Sequence, residues 1–415
     1  MKLVWLSHIV PFPPRGGNLQ RSFNLIREIS PSFEVVLVAF NLQGYNRAAL
    51  GDHIHELEKY CASVQVWDPP YPWRSARWWA ELCRSPFVRY PHSCRSFWSP
   101  QLAGRWEATL QEHPGALLHF DSLDLALFVD DAEGFRKALN HHNCESAMAF
   151  RRAHEEANPL KKSFHWLQGR KLARLECNLC PRFEVNIAVS DLDAAVLRQR
   201  NPRAHLHIVE NGTDTSYFLP GEESEEPRSL IFAGSLDWYP NRSGIQFFAR
   251  QVWPILKREC PGVRLYLAGR NPPGSLLRWA ERDPGVVIVP NPVDIRPWMV
   301  RAAVFICPIL DGGGTRLKIL DAMAMSRPVV STTIGCEGLR VRHNENILIA
   351  DAPSDFAHAI LRAFASEPLR KQLGTAGRRL VERYYSWERI ANQLRGAYRC
   401  ALGDGDCRQG EKSAD

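Results

Sequence analysis

The sequence predicts an α/β protein made of two doubly wound parallel sheets, one in each half of its 415 residues. Short apolar, β-rich runs alternate with longer amphipathic stretches from end to end, which is the pattern of βα units. The length suits two domains at ~100–200 residues each. Midway, residues 217–228 are acidic and apolar-poor after Pro220, as an interdomain linker is.

In the first half the strand-like runs are 3–6, 35–40, 64–66, 116–119, 137–140, 185–189 and 205–209. In the second they are 230–233, 263–268, 286–289, 304–307, 328–331 and 347–349. The expected organisation is an N-terminal domain over 1–219, a C-terminal domain over 220–385, a terminal helix over 386–402 packing back on the N-terminal domain, and a polar, flexible tail over 403–415. Open parallel sheets take ligands beyond the carboxyl ends of their strands, so two facing sheets are expected to share a site in a cleft.

Apolar residues make up 45% and charged residues 23%, which excludes disordered and fibrous classes. No run approaches the ~20 apolar residues of a membrane-spanning helix, and the start is unlike a signal peptide, so a cytoplasmic protein is expected. Eleven scattered cysteines fit a reducing compartment. Cys177 and Cys180 form one CxxC on a helical stretch with no second pair, so no metal is expected.

The charge of +7 is unevenly spread. Between Trp73 and Trp98, Arg74, Arg77, Arg84, Arg89 and Arg95 face one acid, Glu81, and are interleaved with Trp78, Trp79, Phe87, Tyr90 and Phe97. That mixture suits the surface of an anionic membrane, which would make the protein peripheral at the inner face of the plasma membrane. A packed excursion with snorkelling arginines is the competing reading. No nucleic-acid module accompanies the patch, so no nucleic-acid partner is expected.

The sharpest local feature runs from Pro308 to Ala324. A strand leads into Gly312, Gly313 and Gly314, then Thr315, Arg316, Leu317 and Lys318 open a helix. Backbone N–H groups at such a turn can meet a phosphate, with Arg316 and Lys318 adding charge. Three glycines alone also make a plain mobile turn.

The stretch 316–331, with Lys318-Ile319-Leu320-Asp321-Ala322-Met323-Ala324 before Pro328-Val329-Val330-Ser331 and Glu337-Gly338-Leu339, closely resembles retaining glycosyltransferases of family 4. Other pieces agree in order: Arg15-Gly16-Gly17, His142-Asn143-Cys144-Glu145, Val189-Ser190-Asp191, Glu210-Asn211-Gly212-Thr213, Ala233-Gly234-Ser235, Pro240-Asn241 and Tyr385-Ser386-Trp387. The resemblance implies the GT-B fold, two Rossmann-like domains facing across a cleft. It implies a nucleotide diphosphate sugar as donor, a glycan or lipid-linked acceptor, and no cofactor or metal.

By the same resemblance Asp321 stands where the family's glutamate holds the donor's ribose hydroxyls, one methylene shorter here, with a helix-surface acid as the plain alternative. A second family glutamate is replaced by Gly313, so donor contacts are expected from the backbone of 312–315. The first C-terminal strand is followed by Gly234 and Ser235 but by no cation until Arg242, which leaves Arg316 and Lys318 as the phosphate clamp. His142 aligns with a histidine beside the reacting sugar, with Glu145 orienting the acceptor. His119 and Asp121 are further candidates at a strand end, and His141 is the weaker of the adjacent pair. Gly16 and Gly17 would let backbone approach the donor. Glu337 would wall the donor pocket, and the base would lie near Arg270 and Asn291.

The reaction implied is transfer with retention, the leaving phosphate taking the acceptor's proton. Two alternatives stay open: a nucleotide-sugar epimerase of the same architecture, and a non-catalytic glycosyltransferase-like subunit. Neither half carries the dinucleotide fingerprint of a dehydrogenase.

Overall fold

The structure is a computed structural model that describes residues 1–71, 75–221, 225–311 and 314–403. A strand forms at every expected run. The first seven are β1 (Lys2–Ser7), β2 (Glu34–Phe40), β3 (Ser63–Trp67), β4 (Leu117–Phe120), β5 (Lys137–His141), β6 (Val185–Ala188) and β7 (Leu206–Ile208), and they make one parallel sheet ordered β3-β2-β1-β4-β5-β6-β7. The next six are β8 (Glu226–Ala233), β9 (Arg264–Gly269), β10 (Val286–Pro290), β11 (Ala302–Cys307), β12 (Val329–Ser331) and β13 (Leu348–Ile349). They form a second parallel sheet ordered β10-β9-β8-β11-β12-β13.

Helices cover both faces of a parallel sheet, so its central strands are apolar on both sides. Leu3, Val4, Trp5 and Leu6 of β1 are all fully buried. Sequestering each such side chain contributes about 1.5–3 kcal/mol. In both sheets the chain winds outward from a central strand, then returns to its other side, so the strand order reverses between β1 and β4 and between β8 and β11. Ligands of open α/β sheets sit at the carboxyl ends of the strands at such a reversal.

The chain divides into two compact units, Met1–Glu210 with Ile390–Asp415, and Asn211–Arg389. The first crossing therefore falls at Glu210, ahead of the expected boundary at Leu219. The reason is hydrogen bonding. Thr213 N–H donates to the Tyr385 carbonyl at 2.8 Å, and Arg378 donates to the carbonyls of Thr215 at 2.9 Å and Phe218 at 2.7 Å. These bonds tie 211–219, expected in the N-terminal domain, into the second unit. Of the expected linker, 222–224 lie outside the described residues, as do 404–415 of the expected tail.

The last helix, Trp387–Leu402, joins the first unit from Ile390 onward. There Arg395 donates to the Glu28 carbonyl and Tyr398 is fully buried. No helix among the described residues is long and apolar enough to cross a membrane.

Candidate functional site

At the carboxyl ends of β1, β4 and β5, the first unit holds a buried polar cluster around Asp121. Its Oδ2 accepts from Ser22 Oγ at 2.6 Å and Ser7 Oγ at 3.1 Å. Its Oδ1 accepts from Asn140 Nδ2 at 3.0 Å and lies 3.3 Å from His142 Nε2. A carboxylate can only accept, so His142 presents its Nε2 hydrogen to Asp121. Burial alone would raise the pKa of Asp121, but His142 and His119 outweigh it and hold the carboxyl well below the usual range.

Behind this pair a second relay runs to the last helix. Tyr398 Oη and His119 Nδ1 are 2.8 Å apart, and His119 Nε2 is 3.6 Å from Asp121 Oδ1. Trp5 stacks on His119 with ring centroids 3.7 Å apart. Burial pushes the Tyr398 phenol well up, so it stays protonated and donates to His119. The balancing cation is Arg21, itself buried. It donates to the carbonyls of Glu210 and Val209, each at 2.9 Å, and to Asn140 Oδ1 at 3.1 Å.

His8, just beyond β1, completes the cluster, its ring edge-on to His142 at 5.4 Å. Burial, then His142, lower it to about 4, so it is neutral at physiological pH. His8, Asp121 and His142 present ligand atoms within 4.8 Å of one another, close enough to hold a metal ion. Asp121 is already satisfied by protein donors on both oxygens. His8, Arg21, Asn140 and Tyr398 had no local signal in the sequence beyond the strand ends on which His8 and Asn140 fall.

His141 points away from this cluster, toward Asn186 Oδ1 at 3.3 Å, and burial lowers it to about 4. Its effect on stability has a definite sign. The folded ring is neutral down to about pH 4, whereas the unfolded ring takes up a proton near 6.5, so its contribution is whole above pH 6.5 and is lost as the pH falls toward 4. Between these values wild type should lose about 1.4 kcal/mol per pH unit more than His141→Gln, read from urea unfolding at pH 7 and 5. Equal pH slopes would refute the assignment.

Glu145 opens the helix Glu145–Glu155, and burial, then Asp124 and Glu176, raise its carboxyl to about 8. It therefore holds its proton near neutrality. Gly16 stands before the helix Gly17–Ile29 at φ 123° and ψ 161°, a conformation essentially restricted to glycine.

In the second unit the carboxyl ends of β8 and β11 bring several expected residues together. Lys318 Nζ donates to Asn241 Oδ1 at 2.7 Å and lies 4.1 Å from the centre of the Phe232 ring. Asn241 Nδ2 donates to the Ser235 carbonyl at 2.7 Å, and Ser235 Oγ to Asp237 Oδ1 at 2.7 Å. Gly234, at φ 147°, leaves room for the ammonium, since a Cβ there would meet Nζ at 2.9 Å. Burial lowers Lys318 to about 8.

Asp321 is not a surface acid. It is buried in the helix Leu317–Ala324, and its Oδ1 accepts from Thr213 Oγ1 at 2.6 Å. Thr315 Oγ1 accepts from Asn211 Nδ2 at 2.8 Å. Arg316 turns back on its own loop and donates to the carbonyls of Gly314 at 2.8 Å and Asp311 at 3.5 Å. Gly314 has φ 69°, whereas Gly312 and Gly313 lie outside the described residues. Glu337 stands in the turn after β12, and Asn291 and Arg270 follow β10 and β9. Trp73 and Arg74 of the basic aromatic stretch also lie outside the described residues.

Two units, each a parallel sheet with its polar cluster at the strand reversal, define the GT-B fold. Residues 227–366, within the second unit, match the family described as Glycosyl transferases group 1. An uncharacterized 44.6 kDa protein in the cps region of Klebsiella pneumoniae is 25% identical over 173 residues, which are 40% of this chain and 45% of that protein. The chain thus spans less than half the length of that relative. Sucrose-phosphate synthase from Thermosynechococcus elongatus superposes with TM-score 0.74 at 16% identity, covering 98% of this chain and 100% of that one. Anabaena HepE in complex with UDP superposes with TM-score 0.67 at 14% identity, covering 95% and 98%.

Proposed function

We propose that this protein is a retaining glycosyltransferase of the family 4 type, which moves a sugar from a nucleoside diphosphate donor to a glycan or lipid-linked acceptor. The observation that carries the reading is the half-buried, hydrogen-bonded Lys318 at the strand reversal of a unit that matches the glycosyltransferase group 1 model. A desolvated cation fixed in place stabilises charge that develops on a leaving diphosphate without reorganising. HepE, a protein of the same fold, was crystallised with UDP, which supports a nucleoside diphosphate as guest.

In this reading the bond from the anomeric carbon to the diphosphate oxygen breaks, and its electron pair leaves with the nucleoside diphosphate. The acceptor oxygen bonds to the same face, and its proton passes to the departing phosphate. The Lys318 ammonium offsets the leaving charge. His142, its ring set by Asp121, steadies positive charge on the sugar. Asp321, its rotamer fixed by Thr213, accepts the ribose hydroxyls. No step needs a metal ion. Exposed Trp79 and Phe87 beside Arg77 and Arg84 support a place of work at an anionic membrane surface.

The test is transfer by the full-length protein from α-linked nucleoside diphosphate sugars, with the product's anomeric configuration read by NMR. An α product in the presence of EDTA is expected. A β product, or conversion of the donor sugar without any acceptor, would overturn the reading. Asp321→Ala should weaken nucleoside diphosphate binding by about tenfold or more, the worth of a charge-assisted contact, and should not weaken binding of the 2′,3′-dideoxy analogue.

A further inference from the structure

Residues between Tyr71 and Leu127 line, within the first unit, a half-open surface cavity of about 370 Å³ that the chemistry above does not use. Arg77, Arg89 and Arg95 line it with the rings of Tyr71, Tyr90 and Trp98. The acid in its wall is Glu81, whose carboxylate pairs with Arg95 and, at 3.2 Å, with Arg84. Among the described residues Arg77 and Arg89 make no ion pair. Their guanidinium carbons lie instead over the rings of Tyr71 at 5.6 Å and Tyr90 at 5.8 Å.

A guanidinium stacked on a ring keeps its N–H edge for a ligand, and that edge matches the oxygens of a phosphate. Arg95 adds Nη1, buried and with no hydrogen-bond partner among the described residues. The volume is in the range of small-ligand sites, ~300–1,000 Å³. Apolar surface continues outward from the same segment, with Phe87 90% and Trp79 52% exposed. Inward, Phe97 meets His8 edge-on at 6.4 Å, so the segment that carries Trp98 also abuts the Asp121 cluster.

We propose that this cavity binds a phosphate-bearing acceptor through its phosphate, with Arg77, Arg89 and Arg95 on the phosphate oxygens. The role of acceptor rests on the transferase reading. The binding does not, and it is measured without donor, so the two fail separately.

The experiment is calorimetric titration of the full-length protein with dihexanoyl phosphatidic acid, glucose 1-phosphate and dihexanoyl phosphatidylcholine. At least one phosphate ester should bind about tenfold or more tightly than the zwitterionic lipid. Arg77→Gln/Arg89→Gln should weaken it about tenfold or more, with the thermal midpoint and nucleoside diphosphate affinity unchanged. Tighter binding of the lipid assigns the phosphate to a lipid acceptor, and tighter binding of the sugar phosphate to a soluble one. Either outcome sustains the site. If neither ester binds in an arginine-dependent way, the proposal is wrong.

Discussion

Replacing Lys318 with alanine is expected to lower kcat by about 10²–10³-fold, the range for removing one preorganised donor to a developing anion. The ammonium is half-buried, held by Asn241 and seated over Phe232, so it is fixed in place before a phosphate arrives. Burial, and to a lesser degree Arg316, depress it to about 8. A bound diphosphate favours the charged form, so binding should take up a proton at pH 8 and weaken as the pH rises through that value. In the free protein the sign on stability is the reverse of that for a salt-bridged lysine. Between about pH 8 and the unfolded value near 10.5 the unfolded chain binds the extra proton, so this group's contribution to stability rises with pH. Calorimetry of nucleoside diphosphate binding in two buffers of different ionisation enthalpy measures the uptake. Gly234→Ala should mimic the loss, because its Cβ would crowd both Nζ and the Asn241 amide. Wild-type turnover by Lys318→Ala would remove the residue from the mechanism.

How much of this was legible depends on how local the signal is. The central strands could be read because strands buried on both faces are continuous apolar runs, as in β11 with its Val304, Phe305 and Ile306. Lys318 and Asp321 could be read because strand, turn and helix follow one another within about one βα unit. Other features are set by pairings distant in the chain. Asn211 and Thr213 are polar residues in a turn-rich stretch, and nothing local says that they bond to Thr315 and Asp321. Tyr398 looks like a surface helix residue until it is seen against His119. Arg316 has the charge of a phosphate clamp, but the closure of its own loop aims the guanidinium at the carbonyls of Gly314 and Asp311. The resemblance marked His142, whereas the group that sets its ring, Asp121, was only a carboxylate after a strand.

Asp121→Asn should therefore act through His142. The substitution keeps the shape but removes the charge that fixes the Nε2 hydrogen, and it turns an acceptor of four donors into a group that must also donate. Stability should fall by on the order of 3–5 kcal/mol, because buried Arg21 loses its counter-charge. Fractional folding must therefore be fixed by urea titration before the kinetics are read. On the folded fraction kcat should drop about 10²-fold or more, the usual contribution of a positioned imidazole, with the donor KM little changed. His142→Ala should cost a similar factor. The decisive comparison is the double variant: residues that work as one unit are not additive, so Asp121→Asn on top of His142→Ala should cost almost nothing further in kcat. A double variant slower by the product of the two single factors would mean that Asp121 only holds the fold, and that His142 finds its orientation without it.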